Sequence, residues 1–189
     1  MKKVFLTVWH YKVFILVAIL VVVLVFFARG LKEKKKNIQP SQQANYNDIV
    51  PGVSSENDLK NKLGEPLKTT VETDKTILDY QSNSPVRFND VIIKDGTVIF
   101  IKEIVAATDE KRSQDITNQY GVAPYTLYNQ DDPNSYYYLF VYPGRGIAYL
   151  GRSSGKLLEI WYFQPTDISN FINSWASNYA LTKSTKQVQ

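Results

Sequence analysis

The sequence contains no cysteine, and its only histidine is His10. Without cysteine the chain has no disulfide bond and no lipid attached through a cysteine, and the redox state of its compartment stays open. His10 precedes the long apolar run near the N-terminus, so the rest of the chain lacks Ser-His and Cys-His pairs and any ordinary zinc site. We therefore expect a protein that is not an enzyme and that holds neither a metal nor a cofactor.

The remaining motifs with possible chemistry have structural explanations. Asp109 and Glu110 stand at the start of a predicted helix, where acidic side chains favour the helix dipole. Asp131 and Asp132 lie in a turn-forming segment without the alternating oxygen ligands and glycine of a calcium loop. The segment "GRSSGK" at 151–156 joins two predicted strands and lacks the spacing of a phosphate-binding loop. These motifs supply no catalytic residue and no metal ligand.

The basic character of the chain, with a pI of about 9.0, comes from its N-terminal part. Residues 1–36 carry eight Lys or Arg side chains and one acidic side chain, which leaves 14 basic against 17 acidic side chains in the remainder. The remainder is therefore mildly acidic. We expect no nucleic-acid partner, because such proteins present a clustered basic surface.

The run "VFILVAILVVVLVFFA" at 13–28 has no polar side chain, and with its flanks it predicts a transmembrane helix at 9–28 after a short tail at 1–8. A cleaved signal peptide is the alternative, although Phe26 does not suit a small-residue cleavage site. The basic flank would place the following domain in the cytoplasm by a literal charge count. The short N-terminal tail favours translocation instead, so the expectation is a single-pass membrane protein whose soluble domain lies outside the cytoplasm.

The chain beyond the predicted linker at 29–48 indicates two similar halves, 49–106 and 107–165. A predicted helix ends at Gly64 in "NKLGEP" and another at Gly121 in "NQYGVAP", and the hairpin "KDGTVIFIKEI" corresponds to "SSGKLLEIWYF". Each half then contains four strand-like runs, which lie near 68–72, 76–81, 86–93 and 97–105, and near 123–128, 136–142, 146–151 and 156–163. The pattern predicts two repeats of a helix and a four-stranded antiparallel meander.

The last predicted element is an amphipathic helix at 166–180, followed by a tail at 181–189. Thr166 or Asp167 is suited to cap it, and one apolar face is formed by Ile168, Phe171, Ile172, Trp175 and Tyr179. Such a helix usually lies across a sheet. The expected fold class is thus α+β, with an N-terminal transmembrane helix, two helix-plus-meander repeats and a C-terminal amphipathic helix.

The first half resembles the repeat unit of the SmpA/OmlA-like envelope lipoproteins, which share the architecture of the β-lactamase-inhibitor-protein fold. The matching positions are Gly52, Ser54, Asp58, Leu59, Leu63, Gly64, Pro66, Leu78, Tyr80, Gly96, Val98 and Ile101. The second half matches the pattern weakly, and the lipid-bearing cysteine of those lipoproteins has no counterpart here. The resemblance implies helix-on-sheet units that present a broad sheet for protein contact, and it implies no catalytic residues.

Aromatic residues crowd the segment "SYYYLFVYPGRGIAYL" at 135–150. Strand alternation predicts one shared face for the candidate binding residues, which are Tyr136, Tyr138, Phe140, Tyr142, the nearby Arg145, and Trp161 on the last strand. The alternative is that these rings pack against the other half or the last helix.

We expect the candidate face to bind another protein, with a role in cell-envelope assembly; a glycan such as peptidoglycan is the other candidate ligand. On this hypothesis Tyr138→Ala or Trp161→Ala weakens partner binding and leaves the fold intact.

Overall fold

The computed structural model describes residues 43–152 and 155–184, which belong to one compact unit. Their elements in chain order are α1 (Glu56–Leu63), β1 (Lys68–Val71), β2 (Thr76–Tyr80), β3 (Asn89–Lys94), β4 (Thr97–Ile104), α2 (Ser113–Tyr120), β5 (Tyr125–Asn129), β6 (Tyr138–Tyr142), a short 3-10 helix (Pro143–Arg145), β7 (Ile147–Gly151), β8 (Leu157–Phe163), α3 (Ile168–Trp175) and β9 (Tyr179–Ala180).

Helix α1 is capped at its first turn and ends where the sequence predicts. The Oγ atom of Ser55 accepts a hydrogen bond from the backbone N–H of Asp58, and the Asp58 carboxylate accepts one from the backbone N–H of Ser55. This capping box satisfies two backbone donors that the first turn leaves open. The helix stops at Gly64, whose φ of 80° is strained for any residue with a Cβ atom. The predicted stop at Gly64 is confirmed.

The strands form one antiparallel sheet with the order β1-β2-β3-β4-β8-β7-β6-β5-β9. Its centre is the pairing of β4 with β8, in which Phe100 lies opposite Phe163 and Ile104 lies opposite Glu159. This pairing makes the strands on its two sides parts of a single sheet. The fold class predicted from the sequence is therefore corrected: the described residues form a nine-stranded sheet with three short helices, and not two helix-plus-meander repeats.

Both faces of the sheet carry a hydrophobic core. On the face that we call the α1–α2 face, Leu59 of α1 and Ile116 of α2 pack against Leu78, Ile101 and Ile160 of the sheet. On the opposite face, called the α3 face, Phe171 of α3 packs in a second cluster, with Phe100, Leu139, Val141, Trp161 and Phe163. The central strands are consequently buried on both sides.

Residues 43–48, which the sequence analysis places in the linker, lie on the α1–α2 face. Ala44 is fully buried, and its backbone N–H donates to the Arg145 carbonyl oxygen over 2.8 Å. The ring of Tyr46 contacts that of Tyr162, with centroids 5.7 Å apart. This part of the chain therefore contributes to the first core.

The C-terminal helix is shorter than the predicted 166–180. Asp167 caps it, as one of the two predicted residues, but the helix ends at Trp175 because Ala176 has a φ of −139°. The chain then extends into β9, where Tyr179 pairs with Asn129 of β5. The spacing of Tyr179 suits the apolar face of a helix, yet this side chain reaches the second core from a strand.

The predicted transmembrane helix at 9–28 and the tail before it lie outside the described residues. Within 43–152 and 155–184, no helix has the length and apolar character that crossing a membrane requires. The structure therefore gives no support to a single-pass membrane protein with an outward-facing domain, and that localisation is withdrawn.

Candidate functional site

Three aromatic rings line the α1–α2 face where strands β5 and β6 meet, and we call Tyr128, Tyr138 and Phe140 the aromatic strip. In the β5–β6 register Leu127 lies opposite Leu139, which brings Tyr128 beside Tyr138. The two tyrosine rings are 5.5 Å apart at an interplanar angle of 72°, and Tyr138 is 6.4 Å from Phe140. These edge-to-face contacts are favourable arrangements of aromatic rings.

The strip runs from the protein core to its surface. Phe140 stacks on buried Tyr149 at 4.8 Å and packs against the first core cluster. Tyr128 and Tyr138 are only half-buried and belong to neither core cluster. The strip is thus fixed at one end by packing and presents two ring surfaces to solvent at the other.

The segment after β9 reaches the exposed end of the strip. The Nζ atom of Lys183 lies over both tyrosine rings, 5.7 Å from the centroid of Tyr128 and 5.3 Å from that of Tyr138. Gln130 Nε2 donates to the carbonyl oxygens of Tyr128 and Thr182, over 2.9 and 3.0 Å. This amide connects the segment to the end of β5.

The structure brings only some of the predicted site residues together. Tyr138, Phe140 and Tyr142 share a face, but Tyr142 is 3% exposed and its hydroxyl donates to the Gly121 carbonyl oxygen over 2.8 Å. Burial, and to a lesser degree Tyr149, raise the pKa of Tyr142 well above its ordinary value. Tyr142 is therefore a core residue that anchors the loop after α2.

The two outlying candidates next to β6 differ in their surroundings. Tyr136 precedes the strand and is 74% exposed. Arg145 is half-buried in the 3-10 helix that connects β6 and β7. Tyr136 and Arg145 lie beyond the two ends of β6, and both stay as predicted binding residues.

Trp161 lies on the opposite face of the sheet from the tyrosines. It is 8% exposed, and its ring centroid is 5.8 Å from that of Phe100 and 6.3 Å from that of Phe171. Its Nε1–H donates to Glu159 Oε2 over 2.8 Å. The prediction that Trp161 lies beside the tyrosines is wrong, because it reverses the two faces of β8, a strand with buried residues on both sides.

A polar cleft of about 330 Å³ opens near the end of β4 on the α1–α2 face. The Glu103 carboxylate, 6% exposed, accepts hydrogen bonds from Lys111 Nζ and from the Tyr162 hydroxyl, the latter over 2.9 Å. Burial and the charge of Glu103 raise the pKa values of Tyr162 and Tyr46 above their ordinary value. The sequence signal for this cleft is an isolated acid in an apolar strand, which the sequence analysis did not use.

The charged groups of the cleft are already paired within the protein. Asp109 accepts a hydrogen bond from the Ala106 backbone over 2.7 Å and another from Asn83. Asn89 donates to the Tyr46 hydroxyl over 3.2 Å. Across the described ranges there is no group of three or more His, Cys, Asp or Glu side chains that could hold a metal ion. The aromatic strip is accordingly the stronger candidate site.

Fold and site together describe an antiparallel sheet protein with a partly exposed aromatic strip on one face. No protein-family profile matches the chain, and no curated protein does. Among solved structures, it is similar to a DUF4309 family protein, YjgB, from Bacillus subtilis, with 14% identity and a TM-score of 0.42. That similarity covers 66% of this chain and 86% of the other.

Two further solved structures are similar over 78% of this chain, and the chain spans 55% of the length of each. One is a cysteine-rich secretory protein, SAV1118, from Staphylococcus aureus, with 13% identity and a TM-score of 0.43. The other is an extracellular protein containing an SCP domain from Bacillus anthracis, with 12% identity and the same TM-score. None of the three is described as an SmpA/OmlA-like or β-lactamase-inhibitor-like protein, and the resemblance to those proteins stays a prediction.

Proposed function

We propose that the protein is a non-catalytic binding module that holds a partner protein on the aromatic strip. The observation that carries this proposal is the pair Tyr128 and Tyr138, which pack ring against ring at 5.5 Å outside both core clusters. A role in cell-envelope assembly remains a prediction, because nothing in the described residues bears on it.

The chemistry of the strip suits protein recognition. Tyrosine offers a large contact area, few rotatable bonds and a polar end, which is why it is frequent among residues that dominate binding energy. Phe140 and buried Tyr149 hold the strip in place from below. Since these contacts exist without a partner, binding would order few additional side chains.

The proposal is tested by affinity measurement with an identified, purified partner. A photo-activatable residue at Thr126, which lies opposite Phe140 in the β5–β6 pairing, would identify proteins that contact the strip. Calorimetry with the purified partner then compares Tyr138→Leu with the matched control Tyr136→Leu. We expect the first to weaken binding about ten-fold or more and the second less than about two-fold, as for a central and a peripheral contact residue.

Two outcomes would contradict this proposal. One is equal affinity of the Tyr138→Leu variant and the unaltered chain, with circular dichroism showing both folded. The other is a saturable response of the strip to soluble cell-wall glycans with no protein cross-linked at Thr126. Tyrosine ring resonances are the appropriate signal for glycans, because Trp161 and Trp175 pack on the α3 face.

A further inference from the structure

We infer that Tyr128 and Tyr138 form a receptor for a lysine ammonium group, and that Lys183 occupies it until a lysine of the partner protein replaces it. This inference rests on the proposed function and adds the chemistry of the partner. It starts from the position of the Lys183 Nζ atom, which is within 6 Å of both ring centroids, at 5.7 and 5.3 Å.

Two nearly perpendicular rings are suited to a cation. The ring planes of Tyr128 and Tyr138 meet at 72°, so an ammonium group near both is attracted by the negative faces of two π-systems. Paired aromatic walls of this kind are a recurrent way to recognise ammonium ligands. Hydrophobic packing alone would not favour a charged side chain at this place, which points to the cation as the matching ligand.

The segment that carries Lys183 is held weakly enough to be replaced. Leu181, Thr182 and Lys183 are all exposed, and the bond from Gln130 to the Thr182 carbonyl oxygen is itself exposed. Exposed hydrogen bonds and cation–π contacts each contribute little free energy. An incoming lysine on a partner surface with further contacts along the strip would therefore compete successfully.

Two carboxylates near the receptor also favour a basic partner. Asp131 and Asp132 are exposed directly after β5, and Asp131 Oδ2 accepts a hydrogen bond from Asn178 Nδ2 over 3.2 Å, next to β9. These two carboxylates stand at the same end of β5 as Tyr128. A lysine-bearing segment would meet complementary charge there, whereas an acidic segment would be repelled.

The test uses the full-length chain and two small probes that differ by one charge. The probes are lysine capped as Nα-acetyl-lysine methylamide and the same molecule with its side-chain nitrogen acetylated. Ring resonances of Tyr128 and Tyr138 are followed by NMR during titration of the unaltered chain and of Lys183→Met. Lys68→Met is the matched control, since Lys68 is exposed on β1 at the other end of the sheet.

We expect Lys183→Met to bind the charged probe about three-fold more tightly than the unaltered chain, because the receptor is then vacant. Lys68→Met should behave like the unaltered chain, and the acetylated probe should shift neither ring. Tyr138→Leu in the Lys183→Met background should remove the response to the charged probe.

Three results would overturn the inference. They are equal shifts from both probes, equal affinity with and without Lys183, and tighter binding of tetramethylammonium than of the capped lysine, which would indicate a different ammonium ligand. None of these results depends on the partner protein.

The two proposals can therefore fail separately. If the probes contradict the lysine receptor but a partner protein binds Tyr138→Leu more weakly than Tyr136→Leu, the proposed function is kept and the receptor is rejected. If the probes behave as expected but no partner protein distinguishes these two variants, the receptor is kept and the proposed function is rejected.

Discussion

Two buried glutamates show how single residues hold the loops of this protein. Glu103 on the α1–α2 face receives Lys111 and the Tyr162 hydroxyl, and Glu159 on the α3 face receives Arg87 and Trp161 Nε1. Each carboxylate thus has a cation from a neighbouring loop and a donor from strand β8. A buried charge without such partners is costly, so the donors are structural requirements.

A substitution at Trp161 tests whether this side chain belongs to the core or to the surface. We expect Trp161→Ala to reduce the free energy of unfolding by about 3–5 kcal/mol, because it leaves a cavity among Phe100 and Phe171 and removes a donor to Glu159. Urea unfolding followed by circular dichroism measures the change, with Tyr136→Ala as the exposed control. A loss below about 1 kcal/mol would contradict the burial of Trp161, since surface substitutions have effects of that size.

The raised pKa of Tyr162 predicts that the protein loses stability at high pH. Burial, together with the charge and hydrogen bond of Glu103, holds the pKa of Tyr162 well above its ordinary value of 10.0. As the pH rises past that value, the unfolded chain releases this proton and the folded chain keeps it, so the free energy of unfolding falls. The contribution of Tyr162 to the free energy of unfolding is fully present below its ordinary pKa of 10.0. It is lost as the pH rises from there toward the raised pKa of the folded state.

Urea unfolding between about pH 8 and 11 measures this effect, and Tyr162→Phe is the matched variant. The variant should be less stable at pH 8, because Glu103 loses a donor, but its stability should decline less steeply with pH. The other tyrosines with raised pKa values are present in both chains. Identical slopes would show that Tyr162 does not carry the effect.

At the scale of elements, local sequence signals located the ends of the first two helices. Gly64 ends α1 and Gly121 ends α2, with φ values of 80° and 83°. These features depend on the conformational preferences of a few neighbouring residues. They are therefore readable without knowledge of the fold.

For the central strands, the sequence did not show which residues lie on which face of the sheet. In strand β8 every residue except Leu158 is buried, because helices cover both faces of the sheet. A strand buried on both sides shows no alternation of apolar and polar residues, so its register is ambiguous by one position. That ambiguity put Trp161 with the tyrosines, although the alternation of Tyr138, Phe140 and Tyr142 on β6 was predicted correctly.

The end of α3 depended on a distant strand. The apolar spacing from Ile168 to Tyr179 continues a helical pattern, but β9 pairs with Tyr128 and Asn129 of β5. Such a pairing joins residues that are about 50 positions apart, so it contributes nothing to local periodicity. The contact of Lys183 with the aromatic strip follows from the same pairing and was equally invisible in the sequence.

At the scale of the whole molecule, the pairing of β4 with β8 couples all described elements. Ile101 of β4 is fully buried opposite Tyr162 of β8, and the first core cluster contains residues from both sides of this pairing, such as Leu78 and Tyr149. Neither side of the sheet has a hydrophobic core of its own on this face. Cooperative unfolding of the two sides is the physical consequence.

Ile101→Ala tests this coupling. We expect it to lower the free energy of unfolding by about 2–5 kcal/mol, because it removes packing at the centre of the shared core. Native-state hydrogen exchange of backbone amides should show the same loss for Val91 in β3 and for Leu139 in β6, which lie on opposite sides of the pairing. A loss confined to β1–β4 would instead mean that the two sides unfold separately. In that case the aromatic strip on β5 and β6 would keep its structure while the rest of the sheet opens, and the affinity of Ile101→Ala for the proposed partner would be unchanged.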